Sequence, residues 1–143
     1  MSFSLDVNLL LYASDRSSPH HGKAVEFLTS VAEGRQACYV AWITVTSYLR
    51  MATHPRIFRA PLTQAEAEDN IGRLLALPHV AAISEKEGFW SAYRDVASGT
   101  PVRANLVPDA HLATILKQHG VLTLYTHDQD FRKFRFLRVV DPL

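Results

Sequence analysis

Short apolar runs alternate with stretches of helical periodicity along the whole chain, and no linker, low-complexity block or internal repeat interrupts them. Phe3 to Leu5 predicts a first strand, with a helical turn over Val7 to Ala13 directly after it. Within His20 to Ala32, the residues Ala24, Phe27, Leu28 and Val31 recur at helical spacing, and Gly34 stops that helix. Ala37 to Ala41 predicts a second strand. Thr44 to Ala52 predicts a helix that must end before Pro55, because proline disfavours helical geometry in the residue preceding it. Thr63 with Glu66 is a capping box that opens a helix to about Leu77. Val80 to Ile83 reads as a third strand, and Ser84 with Glu87 as another capping box starting a helix through about Ala97. After a loop at Ser98 to Pro101, Pro108 reads as a first helical position and Gly120 as the residue just past a helix end. Leu112, Ile115 and Leu116 make one apolar face of that helix, and Val121 to Tyr125 and Leu137 to Val140 supply the last strands. Strands separated by helices favour right-handed βαβ crossovers. The predicted fold is therefore a three-layer α/β/α sandwich with a central, mainly parallel sheet.

Composition narrows this picture without changing it. At 143 residues the chain has room for one domain, spanning 1–143. The 48% hydrophobic and 20% charged content is that of a globular protein with a core, which excludes disorder and collagen-like repeats. A net charge of +1 means that any binding of nucleic acid must come from local charge rather than a global field. Cys38 is the one cysteine, so neither an intrachain disulfide nor a multi-thiolate zinc site is available. The apolar start, Phe3 to Ala13, is broken by Asp6 and Asn8 and lacks a basic leader, so it reads as core rather than as a signal peptide. No stretch offers the roughly 20 apolar residues of a membrane span. A cytoplasmic protein with no membrane partner is expected.

Ligands of an open parallel sheet bind outside the carboxyl ends of its strands. Asp6 directly follows the first strand, while Asp128 and Asp130 follow the fourth. Asp109 lies in the first turn of the helix that begins at the same edge. Carboxylates gathered at one rim repel one another, and a hard divalent cation, Mg²⁺ or Mn²⁺, is their natural partner. An ion held this way can orient an attacking water and neutralise charge on a phosphodiester. Each acid also has a plainer role open to it. Asp6 can cap the short helix, Asp109 can serve a helix dipole worth about 0.3–1 kcal/mol, and Asp128 with Asp130 can form an ordinary turn.

Three segments together resemble PIN domains, in particular the VapC toxins of bacterial VapBC toxin–antitoxin pairs. They are Leu5–Asp6–Val7–Asn8–Leu9–Leu10–Leu11–Tyr12–Ala13, Asn105–Leu106–Val107–Pro108–Asp109–Ala110–His111–Leu112–Ala113 and Thr126–His127–Asp128–Gln129–Asp130–Phe131–Arg132–Lys133–Phe134. Leu137 to Pro142 is similar to the family's terminal strand, so the likeness covers the chain. The resemblance implies a metal-dependent endoribonuclease that uses Mg²⁺ or Mn²⁺, is silenced by a VapB-like antitoxin, and forms a homodimer. Carried over by position, it implies Asp6, Asp109 and Asp128 as metal-site acids and Asp130 as an additional acid. Thr126 and Asn105 would hold the rim or position substrate, together with Arg50.

One departure from the family pattern is substantial. A glutamate is expected in the helix after the second strand, where Ser47 stands, and no acid occurs between Glu33 and Glu66. Losing one anion weakens the attraction for a cation, so weaker, single-ion binding is expected. It also opens an alternative reading, a catalytically weakened PIN-fold module that binds RNA or a partner. An aspartyl-phosphate enzyme or receiver domain fits less well: Asn8 stands where a dehalogenase-like phosphatase expects its second Asp, and Val80 to Ser84 offers no phosphoacceptor.

The basic groups that would meet RNA are Arg50, Arg56 and Arg59, and the run Arg132, Lys133, Arg135 and Arg138 interleaved with Phe131, Phe134 and Phe136. Phosphate contacts of this kind give salt-sensitive binding, whereas the phenylalanines read as core. The seven histidines make no zinc motif, and His127 alone lies inside the acidic segment.

Overall fold

A computed structural model describes residues 1–143. In chain order the elements are β1 (Ser2–Leu5), α1 (Val7–Ser14), α2 (His21–Glu33), β2 (Ala37–Ala41), α3 (Trp42–Ala52), α4 (Gln64–Leu75) and β3 (Val80–Ile83). They continue with α5 (Phe89–Ser98), α6 (Leu106–Gln118), β4 (Thr123–Tyr125), a 3₁₀ turn over Gln129–Lys133, and β5 (Arg138–Val140). The five strands form one sheet in the order β3-β2-β1-β4-β5, and every pairing is parallel. The order reverses direction at β1, which lies between β2 and β4. That switch point opens a crevice at the carboxyl edge of β1 and β4.

Both faces of the sheet are covered. Phe3, Leu5, Cys38, Val40 and Val80 face one layer, where Leu9, Phe27, Val31, Val45, Tyr48 and Ile71 pack from α1 to α4. Ala41, Ile83 and Leu124 face the other, against Val96, Leu106, Ile115 and Leu116 of α5 and α6. This alternation follows from the period of two along a strand. Phe131 and Phe134 join the second layer at 1% and 2% exposure, while Arg132, Lys133 and Arg135 between and beside them stay exposed. The interleaved run is thus core on one side and a cationic surface on the other.

The Thr63–Glu66 capping box forms as expected, with the Glu66 N–H donating to Thr63 Oγ1 at 3.1 Å and the Thr63 N–H to Glu66 Oε1 at 2.9 Å. Three local expectations are corrected. The segment after β3 does not start a helix at Ser84; α5 begins at Phe89 behind Gly88, which sits at φ 80° with no side-chain cap. Ser84 to Glu87 is committed to α6 instead. The Lys86 N–H donates to Gln118 Oε1 at 2.9 Å, the His119 ring reaches the Ser84 carbonyl at 2.7 Å, and Glu85 meets His111 at 2.6 Å. These long-range bonds take the groups that a local cap would use. Pro108 is the third residue of α6 rather than the first, which costs nothing because the first four N–H groups of a helix lack an intrahelical acceptor. Finally, β2 runs directly into α3 at Trp42, two residues before Thr44.

No helix is long and apolar enough to cross a membrane.

Candidate metal centre and rim

The parallel register sets Leu5 beside Tyr125, so the residues that follow, Asp6 and Thr126, meet at the carboxyl edge. The Asp6 N–H donates to the Tyr125 carbonyl at 3.0 Å, and the Thr126 N–H to that of Val140 at 2.9 Å. Asp6 then caps α1. Its Oδ1 accepts from the Val7 N–H at 2.7 Å, and its Oδ2 accepts from the Thr126 hydroxyl at 2.8 Å. Capping and membership of the acidic rim are therefore compatible roles of one carboxylate, since each oxygen has a second lone pair.

Thr126 is the hub. Fully buried, its Oγ1 also accepts from the Asp128 N–H at 2.9 Å and from Asn8 Nδ2 at 3.3 Å. Asp128 Oδ1 in turn accepts from the Asp130 N–H at 2.9 Å and opens the 3₁₀ turn. One hydroxyl thus ties β1, α1 and the turn after β4 into a single rim. Asn8, two residues past Asp6 and not among the site residues expected from the sequence, joins the network; its Oδ1 is buried without a partner.

Asp109 projects from the first turn of α6 toward the same place. Carboxylate oxygens of Asp109, Asp128 and Asp130 all lie within 4.8 Å of one another. Burial pushes the Asp109 carboxyl up to about 7, helped by the charges of Asp128, Asp6 and Asp130 and opposed by Lys133. Burial likewise raises Asp6, against the hydrogen bonds from Thr126 and Val7, with Asp128 adding to the rise. The four acids therefore feel one another, with Asp6 seated deeper behind the other three. Lys133 Nζ, 3.6 Å from Asp130 Oδ1, is the cation nearest to that acid.

The donor set is all oxygen, hard and anionic, with repulsion that a divalent ion would relieve, and it fits a hard divalent ion rather than a soft metal. Cys38 is buried and its thiol is raised to about 12, so it offers neither a thiolate ligand nor a nucleophile.

The remaining candidates sit farther out. Asn105 is exposed, and its side chain makes no capping bond to α6. Arg50 is exposed in the last turn of α3, about 12 Å along that helix from the strand edge where α3 begins. Ser47 is half-buried on the same helix and brings no acid to the rim.

Residues 4–137 match the PIN domain family. The ribonuclease VapC48 of Mycobacterium tuberculosis is 42% identical over 142 residues, covering 99% of this chain and 98% of that protein. Among solved structures, VapBC2 of Rickettsia felis, bound to a DNA fragment from its promoter, aligns with TM-score 0.68 at 14% identity. That alignment covers 98% of both chains. A toxin–antitoxin complex from Klebsiella pneumoniae gives 0.63 at 17% identity, covering 99% of this chain and 98% of that one.

Proposed function

The chain belongs to the PIN domain family, and from that premise we propose that it is an endoribonuclease, the toxin of a toxin–antitoxin pair acting in the cytoplasm. The observation that carries this reading is the aspartate cluster at the sheet's switch point, with three acids within 4.8 Å and Asp6 tied to the same rim through Thr126. Asp109, Asp128 and Asp130, with Asp6 behind them, would hold a Mg²⁺ or Mn²⁺ ion. When bound, such an ion supplies charge neutralisation at the phosphodiester and lowers the pKa of an attacking water.

The chain's own groups do the rest. Thr126 fixes the Asp6 carboxylate and the Asp128 backbone, so the anions are positioned before substrate arrives. The proton that burial and the neighbouring acids hold on Asp109 is one that a bound cation would displace, so the rim is electrostatically set to take up an ion. Lys133 and Arg132 flank the acids and offer cations to the RNA backbone. Incubation of RNA with the protein and Mg²⁺ or Mn²⁺ tests the reading. Cleavage is expected, and its loss is expected in Asp6→Ala. Equal cleavage by the variant, or none by the natural protein on any RNA, would count against it. The binding-only alternative is not favoured, because the relative sharing 42% of its residues is named a ribonuclease.

Ser47 bears on the strength of the ion site. Ser47→Glu is expected to tighten Mn²⁺ binding by on the order of ten-fold, since each added charged ligand raises affinity. Calorimetric titration of both proteins checks this, and equal affinities would reject a role for the missing acid.

The antitoxin's place is supported by a groove of about 580 Å³ among α1, α2, α3 and α4, lined by Leu10, Val25, Leu28, Tyr48, Ile71 and Leu74. Its apolar floor suits the apolar face of an antitoxin helix. Val25 is 39% exposed there, so Val25→Glu is expected to keep cleavage while losing protection by co-expressed antitoxin; retained protection would place the contact elsewhere. A homodimer is part of the same proposal. Trp42 and Trp90 are large apolar side chains left 49% and 69% exposed, of the kind a second copy would cover, and the mass of the protein in solution checks it.

A further inference from the structure

Beside the acidic rim, three rings from separate parts of the chain meet. Tyr12 lies one helical turn beyond Asn8 on α1, His20 immediately precedes α2, and His127 separates Thr126 from Asp128. The ring centroids of His20 and His127 are 4.6 Å apart, those of Tyr12 and His20 4.9 Å, and those of Tyr12 and His127 6.1 Å. The planes are inclined by 53°, 50° and 77° respectively, so the rings form a faceted wall rather than a closed stack.

The wall is held rigidly to the cluster. His127 is the residue next to Asp128, and its Nδ1 meets Asp141 Oδ2 at 2.9 Å. Asp141 follows β5, whose Val140 is in register with Tyr125, so the ring is anchored from both sides of the sheet's carboxyl edge. All three rings remain half-exposed, unlike Phe3, Tyr48, Phe131 and Phe134 of the core. The His20 imidazole makes no hydrogen bond within the chain, so its place is set by ring contact alone. His20, His127 and Asp141 do not gather ligand atoms as the aspartates do, which argues against a second metal centre. Phosphate is disfavoured on this wall as well, because Asp141 and the acids of the rim stand beside it. The uncharged part of a nucleotide fits.

On the reading of the rim as an RNA-cleaving site, we infer that Tyr12, His20 and His127 form a stacking subsite for an unpaired nucleobase adjacent to the phosphodiester that is cut. Every base presents a π face to such a wall, so the subsite favours a flipped or single-stranded base with little sequence preference. It selects unpaired RNA over duplex at the nucleotide it holds.

The test pairs substrate and protein changes. A short RNA that the protein cleaves in Mg²⁺ or Mn²⁺ is remade with an abasic ribose at each nucleotide flanking the cut. At one position the loss of the base is expected to lower kcat/KM by about ten-fold or more in the natural protein, less than three-fold in His20→Ala, and again about ten-fold in His20→Phe, which restores a ring. Equal losses in the natural protein and His20→Ala, or no loss at any position, would overturn the subsite. Binding is read independently with RNA hexamers carrying one 2-aminopurine, in an Asp109→Asn background that holds cleavage off. Quenching of the fluorophore that disappears on adding His20→Ala supports the subsite, and quenching unchanged by it, or absent at every position, overturns it. Failure to cleave any RNA would overturn the nuclease reading alone, since the hexamers report stacking without turnover.

Discussion

Asp109→Asn is expected to abolish metal-dependent cleavage and, at the same time, to raise the melting temperature of the metal-free protein at pH 8. Both effects come from one carboxyl whose burial, with three neighbouring anions, pushes it up to about 7 from an ordinary 3.8. A folded state that holds this proton more tightly than the unfolded chain loses stability as pH rises from about 4, and the loss is complete above about pH 7. The full shift would correspond to about 4 kcal/mol. Asp109 is only half-buried, and solvent screening reduces this to about 1–2 kcal/mol, or several degrees of melting temperature for a domain of this size. Asparagine removes the charge and therefore the penalty. At pH 4, where the native carboxyl is already protonated, the substitution should change little. Mg²⁺ or Mn²⁺ should stabilise the natural protein more at pH 8 than at pH 5.5, because an ion must displace that proton. Melting curves at the three pH values decide the matter; a variant less stable than the natural protein at pH 8 would mean that Asp109 is not under repulsion.

Thr126→Val should have the largest structural consequence of any single change at the rim. The side chains are close in size, but valine offers no donor to Asp6 and no acceptor to the Asp128 N–H or Asn8. Loss of a bond to a buried charged acceptor, together with two orphaned donors, is expected to cost about 2–4 kcal/mol. The Thr126 bond also holds the Asp6 carboxyl down against burial, so its loss moves Asp6 further toward the protonated form. Metal affinity should fall about 10–100-fold, as for other groups that orient a ligand, and fall further as pH is lowered, because protonation of Asp6 competes with the ion. Thr126→Ser keeps the hydroxyl and should retain most of both properties. Denaturant unfolding with metal titration at two pH values checks this, and an unaltered affinity in Thr126→Val would remove Thr126 from the positioning of the acids.

The pattern of the chain was enough to place Ala37–Ala41 and Val80–Ile83 within their observed bounds, and to pair Thr63 with Glu66 in a capping box. These features depend on side-chain periodicity or on bonds only three residues apart. The same local logic failed at Ser84 and Glu87, where Gln118 and His119 of a distant helix take the polar groups of the segment. The rule that points to Asp128, an acid just beyond a strand's carboxyl end, points equally to Asp141, which orients His127.

Alternation of strands with helices determined a parallel sheet with a polar carboxyl edge, and the acids at positions 6, 109, 128 and 130 followed from that edge. Which of them come within 4.8 Å of one another was decided only by the strand order, the Leu5–Tyr125 register and the packing of α6 against the 3₁₀ turn. Tertiary packing alone seats Asp6 deeper than Asp130, makes Thr126 a shared anchor, and brings Tyr12 and His20 to His127. The reason is one of range. Periodicity and capping energies act within a turn or a strand, whereas the field at a carboxylate and the meeting of three rings depend on which distant segments the core brings together.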